Sequence, residues 1–130
     1  MGNILVGDDE SEVVTLLRLL LERDGHAVAA ATNGVDALRA LGLEPIDSAV
    51  ALPDLMILDI MMPVMDGFTL NSRLRGFPVA QNLPVIVLTA KGQKMRDLFQ
   101  SSPNVAAYVQ KPFDPQMLCD LITGILARKR

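Results

Sequence analysis

Residues 55–67 read Leu55-Met56-Ile57-Leu58-Asp59-Ile60-Met61-Met62-Pro63-Val64-Met65-Asp66-Gly67. The apolar run Leu55–Leu58 does not alternate with polar residues. It ends on an acid, and Pro63 and Asp66-Gly67 then punctuate a loop. A short continuous apolar run bounded by turn residues reads as a strand buried on both faces, as in a parallel sheet covered by helices. The helical spacing of Phe68, Leu70 and Leu74 follows at once, so the stretch is a strand, a loop and a helix in sequence.

The same unit repeats on either side. Upstream, Ile4-Leu5-Val6 is a short apolar run followed by acids, and Val13, Leu16, Leu17, Leu20 and Leu21 recur at helical spacing until Gly25, a natural stop. Ala27–Ala31 reads as a second, weaker strand ended by Asn33-Gly34, and a short helix carries Val35, Leu38 and Leu41 to Gly42. Downstream, Pro84 opens a fourth strand, Val85–Leu88. A poorly patterned helix is expected near Gln93–Gln100, and Tyr108-Val109 closes a fifth strand. Asp114 can N-cap a last helix with Pro115 in its first turn and Leu118, Leu121, Ile122, Ile125 and Leu126 on one stripe. The expected architecture is α/β, a (βα)5 doubly wound five-stranded parallel sheet.

Composition agrees with this and excludes other classes. The 130 residues are 50% apolar and 21% charged, with a formal net charge of -3. Surface scaling gives roughly 6,700 Å² folded against roughly 20,400 Å² unfolded, enough burial for one core without disulfide or metal staples. One domain over residues 1–130 is therefore expected, with no output domain. Mean hydropathy is high at +0.31, but the longest apolar stretches, such as Leu83–Leu88, fall far short of the roughly 20 residues of a membrane span. No basic residue precedes an apolar run at the start, as a signal peptide would require, and Val6 stands where a myristoylation site needs Ser or Thr. The negative balance argues against direct nucleic-acid binding, since phosphates call for a basic stripe. Arg128-Lys129-Arg130 reads as a solvated helix end or the start of a linker. Cys119 is the single cysteine, which fits a reducing cytoplasm and a small core or flank residue.

In an open parallel sheet, ligands bind at the C-terminal ends of the strands, where the strand order reverses. Asp8-Asp9 follow the first strand, Asp59 the third, Thr89 the fourth and Lys111-Pro112 the fifth. The spacings of 50, 30 and 22 residues from Asp9 through Asp59 and Thr89 to Lys111 correspond to whole βα units. Taken singly, each has an ordinary explanation: an N-cap or turn for the acids, β-propensity for Thr89, a surface lysine for Lys111, packing for Tyr108. Jointly, three carboxylates and one ammonium converge at one edge. Adjacent carboxylates raise one another's pKa unless a cation intervenes, and hard oxygen ligands suit Mg²⁺ or Mn²⁺. One carboxylate could then attack a phosphoryl group whose oxygens Lys111 and Thr89 contact.

On these residues the sequence resembles the receiver domain of two-component response regulators, including single-domain chemotaxis-type regulators. The likeness spans essentially the whole chain, through Ile4-Leu5-Val6-Gly7-Asp8-Asp9-Glu10, Leu58-Asp59-Ile60-Met61-Met62-Pro63-Val64-Met65-Asp66-Gly67, Val87-Leu88-Thr89-Ala90-Lys91 and Tyr108-Val109-Gln110-Lys111-Pro112-Phe113. The resemblance implies the flavodoxin-like strand order 2-1-3-4-5 and a cis Lys111–Pro112 bond. It also implies that Asp59 accepts a phosphoryl group from the phosphohistidine of a histidine kinase or histidine phosphotransfer protein. Asp8, Asp9, Asp59 and the Met61 backbone carbonyl would hold Mg²⁺ (or Mn²⁺), and Lys111 would pair with the phosphoryl group. Thr89 and Tyr108 would form a coupled switch acting on the surface of the fourth helix, fifth strand and fifth helix. The implied protein is a cytoplasmic signalling module rather than an enzyme, though it phosphorylates and dephosphorylates itself. It would pass its state to a downstream effector protein, without nucleic acid or membrane, as a monomer or a phosphorylation-dependent dimer.

The sequence departs from that pattern in places. Gly7 replaces a bulky aliphatic, which should loosen the end of the first strand. Residues 42–53 make a long connection. Asn104 stands where glycine is common and is expected to tolerate positive φ. Ala106-Ala107 replaces a more polar pair. Met61 and Lys91 flank the site where phosphate lifetime is tuned in such domains. Competing folds and chemistries fare worse. A flavodoxin-type carrier needs a Ser/Thr/Gly-rich loop where Asp8-Asp9-Glu10 would repel FMN. A haloacid-dehalogenase-type phosphatase needs Asp-x-Asp-x-Thr/Val where Glu10 and Glu12 stand. A purely structural receiver would not need the full set of charged site residues, and His26, in a turn far from the acids, offers no metal site.

Overall fold

In the computed structural model, residues 2–90 and 102–128 are described. The elements run β1 (Asn3–Gly7), α1 (Ser11–Arg23), β2 (Ala27–Ala31), α2 (Gly34–Ala40), β3 (Leu55–Asp59), α3 (Gly67–Leu74), a 3-10 turn (Pro78–Ala80), β4 (Val85–Thr89), β5 (Val105–Gln110) and α4 (Pro115–Arg128). Lys91 and the helix expected over Gln93–Gln100 lie outside the described residues. All four strand pairings are parallel and the order is β2-β1-β3-β4-β5, as expected.

The continuous apolar strands divide by alternation. Leu5, Met56, Leu58, Val85 and Val87 join one core with Leu38, Leu41, Leu70 and Leu74, from the α2 and α3 side. Their neighbours Ile4, Val6, Leu55, Ile57, Ile86 and Leu88 join a second core with Leu17, Leu21, Leu118 and Ile122, from the α1 and α4 side. Successive strand side chains point to opposite faces, so helices on both faces demand apolar residues at every position. The high apolar content thus follows from a sheet with two buried faces. The weak alanine pattern of Ala27–Ala31 also has a cause: β2 is an edge strand, and Ala27, Ala29 and Ala30 are exposed.

Helix ends follow local chemistry. The Asp36 N–H donates to the Asn33 side chain at 2.8 Å, the Thr69 N–H to Asp66 at 2.7 Å, and the Gln116 N–H to Asp114 at 3.0 Å, so each of these residues caps a helix start. At the end of α1 the Gly25 N–H donates to the Glu22 carbonyl and the His26 N–H to the Leu21 carbonyl, both at 3.0 Å, with Gly25 at φ 91°. That double bond pattern needs a left-handed residue, which glycine adopts without penalty.

Two departures resolve differently from the sequence expectation. Gly7 does not loosen β1: it pairs with Ala31 on one side and Leu58 on the other, and Leu58, Met56 and Met62 fill the space a side chain would take. Asn104 is not a positive-φ residue; among the described non-glycine residues only Val64 is, at 68°. Asn104 is instead buried, its amide donating to the Asn71 Oδ1 at 2.7 Å while its own Oδ1 has no partner among the described residues. The Ala106-Ala107 pair sits at an irregularity: Val85 pairs Val105 and Ile86 pairs Ala107, leaving Ala106 as the extra residue. The long connection is ordered by a Leu43–Ile46 bridge, an Asp47 N–H bond to the Gly42 carbonyl at 2.9 Å and an Arg73–Glu44 ion pair at 2.7 Å. The Lys111–Pro112 bond is cis, as expected, and so is Glu44–Pro45.

Gly67 fixes how closely α3 approaches β3. A Cβ there would sit 2.5 Å from the Asp59 carbonyl oxygen and 2.9 Å from the Ile60 Cα, and the Gly67 N–H already donates to the Ile60 carbonyl at 2.8 Å. Backbone cannot yield as a flexible side chain can, so Gly67→Ala is expected to lower the unfolding free energy by about 2 kcal/mol or more in urea titration.

The start of β1 is tied to β2 through His26, whose Nδ1 accepts the Gly2 N–H at 3.0 Å. Burial, and then the charge of the amino terminus, hold His26 below the usual 6.5, with Asp24 opposing. A folded pKa below the unfolded one means that the folded state binds fewer protons. This contribution is therefore complete above about pH 6.5 and is lost as pH falls through the folded value. Denaturation of wild type and His26→Gln between about pH 7.5 and 5.5 should show a steeper loss of stability in wild type.

Candidate functional site

The chain runs from β1 outward to β2 and then returns to place β3 on the other side of β1, so the strand order reverses between β1 and β3. Loops leave that point in opposite directions and open a crevice at the C-terminal strand ends. Asp8 follows β1 directly, with its backbone N–H donating to the Ala31 carbonyl at 3.0 Å, and Asp59 is the last residue of β3. The two carboxylates border the crevice because their strands are neighbours.

Lys111 reaches the same point from beyond β5. Its backbone N–H donates to the Thr89 carbonyl at 2.7 Å, which extends the β4–β5 ladder past the strand end. Its ammonium then donates to Asp8 Oδ2 at 2.9 Å, Glu10 Oε1 at 2.7 Å and Asp59 Oδ2 at 3.2 Å. The remaining oxygens of the two aspartates are also engaged. Asp8 Oδ1 accepts the Glu10 N–H at 2.9 Å and Asp59 Oδ1 the Met61 N–H at 3.2 Å. Asp8 is 0% exposed and Asp59 3%.

Burial pushes the Asp59 carboxyl above its ordinary value, and the neighbouring Asp8 charge adds to the effect. The Met61 N–H and Lys111 oppose it without cancelling it. For Lys111, burial disfavours the charged form, but hydrogen bonds to Glu10 and Asp8 and the charges of Asp59 and Asp8 outweigh it. The ammonium is held above the usual lysine range. The pocket therefore keeps a firmly charged cation beside a carboxylate under electrostatic load, a common signature of a functional site.

Sequence reasoning placed Asp8, Asp9, Asp59, Lys111 and Thr89 here; the structure brings Asp8, Asp59 and Lys111 into contact, and Thr89 is buried at the end of β4. Asp9 is exposed. Among the described residues, the carboxylates whose oxygens lie within 4.8 Å of one another belong to Asp8, Glu10 and Asp59. Glu10 is the residue that the strand-end reading did not place. The signal for it was local: Asp8 accepting the Glu10 N–H closes a tight turn that brings Glu10 back over the crevice. Met61 supplies its N–H to Asp59, and its side chain is 66% exposed. Tyr108 is half-buried and packs against the α3-side core, paired with Val87. The oxygen-only donor set fits a hard divalent cation such as Mg²⁺ or Mn²⁺ and offers nothing for a thiophilic metal.

Comparison with known proteins agrees. A family model described as the response regulator receiver domain matches residues 4–123. The chain is 35% identical over 125 residues to the alkaline phosphatase synthesis transcriptional regulatory protein PhoP of Bacillus subtilis, covering 96% of this chain and 48% of that protein. The chain thus spans about half the length of that regulator. It is 38% identical over 120 residues to the uncharacterized 14.6 kDa protein in the sodA1 3′ region of Leptolyngbya boryana, covering 92% of this chain and 86% of that one. Among solved structures, a putative response regulator from Chloroflexus aurantiacus superposes with a TM-score of 0.84 at 33% identity, covering 97% of this chain and 98% of that chain.

The load on Asp59 gives a stability test. A folded-state carboxyl pKa above the unfolded one means that its charge opposes folding at neutral pH and that this cost disappears as the group protonates. Asp59→Asn is therefore expected to be more stable than wild type at neutral pH without divalent metal. Its advantage should shrink as pH falls toward the Asp59 pKa, as followed by chemical denaturation.

Proposed function

The chain belongs to the response regulator receiver domain family of two-component systems, and from that premise we propose that it is a phosphorylation-dependent signalling switch whose acceptor is Asp59. The observation that carries this reading is the Lys111 ammonium seated among Asp8, Glu10 and Asp59 at the point where the sheet order reverses. A buried carboxylate that shares one cation with another buried carboxylate is poised to gain from a change in its charge state, and the lysine is already in place for the incoming oxygens.

In the proposed step an Asp59 carboxylate oxygen attacks the phosphorus of a phosphohistidine. The new O–P bond forms as the P–N bond breaks, and the departing imidazole nitrogen keeps the bonding electron pair while the ring takes up a proton from water and leaves neutral. Lys111 neutralises charge on the transferred oxygens, and the Met61 N–H keeps the other Asp59 oxygen fixed, so the acceptor presents one oxygen in one orientation. Asp8, Asp9, Asp59 and the Met61 carbonyl are the groups that would hold Mg²⁺ or Mn²⁺, with Glu10 also within reach. Such a cation, when bound, supplies charge neutralisation between acceptor and phosphoryl oxygens.

The switch is proposed to run through Thr89 and Tyr108. Thr89 lies two residues beyond Val87 on β4, so it shares a sheet face with Val87, and Tyr108 pairs with Val87 on β5. Threonine and tyrosine thus stand diagonally on one face, the geometry that lets a hydroxyl drawn toward a phosphoryl group make room for a ring. The shift is a change of population between two packings, read out on the surface of β5 and α4 by an effector protein. The proposed setting is the cytoplasm, with a histidine kinase or histidine phosphotransfer protein as donor, and the module is a switch rather than an enzyme.

Incubation with acetyl phosphate and Mg²⁺ tests the assignment. A single acid-stable, base-labile adduct is expected on Asp59 by mass spectrometry, absent in Asp59→Asn and in excess EDTA. Labelling at another residue, or persisting in Asp59→Asn, would sink it.

A further inference from the structure

Glu10 has no part in the proposed phosphoryl transfer or in the Thr89–Tyr108 switch, yet it makes the shortest contact to the Lys111 ammonium, 2.7 Å against 2.9 Å for Asp8 and 3.2 Å for Asp59. An ammonium has three N–H donors, and here three carboxylates account for them. The three acceptors differ in how readily they can let go. The side chains of Asp8 and Asp59 are 0% and 5% exposed, so a lost partner would leave a buried charge uncompensated. The Glu10 side chain is 60% exposed and can exchange the ammonium for water. Its backbone is meanwhile pinned beside the pocket by its N–H bond to Asp8.

A phosphoryl group on Asp59 brings a charge of about −1.5 to −2 and several acceptor oxygens into this space. Lys111 can serve it only by releasing a donor, and Glu10 is the carboxylate that can be displaced into solvent. We infer that Glu10 is a positioning residue that competes with the phosphoryl group for Lys111. It holds the lysine at the pocket mouth in the unmodified protein and is displaced when Asp59 is modified. The inference rests on the reading of Asp59 as the acceptor. Glu10 thereby sets how easily the lysine changes partner and how strongly the modified state is favoured, without touching phosphorus itself.

The test is binding of beryllofluoride, a phosphoryl mimic, followed by ¹⁹F NMR in the presence of Mg²⁺. It compares wild type, Glu10→Gln, Lys111→Met and the double variant. Glu10→Gln is expected to bind about two- to fivefold more tightly than wild type, the scale of one exposed ion pair. In the Lys111→Met background the Glu10 substitution should have no effect, because the competition acts through the ammonium. Tightening of equal size in that background would show general repulsion by the Glu10 charge and overturn the inference. So would Glu10→Gln binding that is unchanged or weaker than wild type; in the weaker case Glu10 is a metal ligand. Absence of any bound fluoride signal in wild type removes the acceptor assignment together with the inference. A wild-type adduct that is indifferent to Glu10 removes the inference alone.

Discussion

Two buried carboxylates and one lysine form the constraint around which the rest of this protein is arranged. Asp8 and Asp59 sit at the ends of adjacent strands with almost no solvent contact, and like charges so placed are unfavourable without a cation between them. Lys111 supplies that charge from 103 residues along the chain from Asp8 and 52 from Asp59. Only a fold that returns β5 to the same sheet edge as β1 and β3 can deliver it. The resulting group is only partly neutralised: the Asp59 carboxyl remains pushed up and the lysine remains firmly protonated. A site in that condition responds strongly to any added charge, which is the physical basis for reading it as a switch.

The supporting structure serves this placement. Alternation along β1, β3 and β4 sends successive side chains into two separate cores, which clamps the central strands from both faces and fixes the height of their C-terminal ends. Gly67 lets α3 begin in contact with the Asp59 carbonyl, and the Asp66 cap fixes where that helix starts. The Met61 N–H then holds one oxygen of Asp59 while Lys111 holds the other. Asp59 is therefore positioned by its own loop, by the neighbouring helix and by a lysine that follows the edge strand β5, and none of these contacts comes from a side chain on an adjacent turn of the same element.

The buried Asn71–Asn104 pair shows the same logic away from the site. It joins α3 to the turn that opens β5, and the Asn104 backbone carbonyl accepts the Val85 N–H at 2.9 Å. A residue expected to serve a backbone turn thus serves a buried polar contact between elements. Its neighbours in sequence could not reveal this, because Asn71 is 33 residues away. Gly7 gives a second instance. Read locally it weakens a strand, but Leu58, Met56 and Met62 pack around its Cα, 3.3 to 3.7 Å from where a Cβ would stand.

The sequence by itself determined whatever depends on local pattern. Unbroken apolar runs such as Leu55–Leu58 gave doubly covered parallel strands, and Asp114 gave a helix start, whereas Asn33 and Asp66, read as a strand end and a loop, proved to be caps only in the fold. The acids and the lysine after successive runs gave one functional edge, because a repeating βα unit returns every strand end to the same side. Tertiary structure decided what depends on direction and distance. Glu10 and Asp9 are adjacent carboxylates with similar local signals, yet Glu10 folds over the crevice to meet Lys111 while Asp9 faces solvent. That choice is made by the Asp8–Glu10 turn and by the reach of a lysine arriving from β5. Periodicity assigns a residue to an element or an edge; which carboxylate a cation finally pairs with is set by angstroms between strands that the chain brings together only when folded.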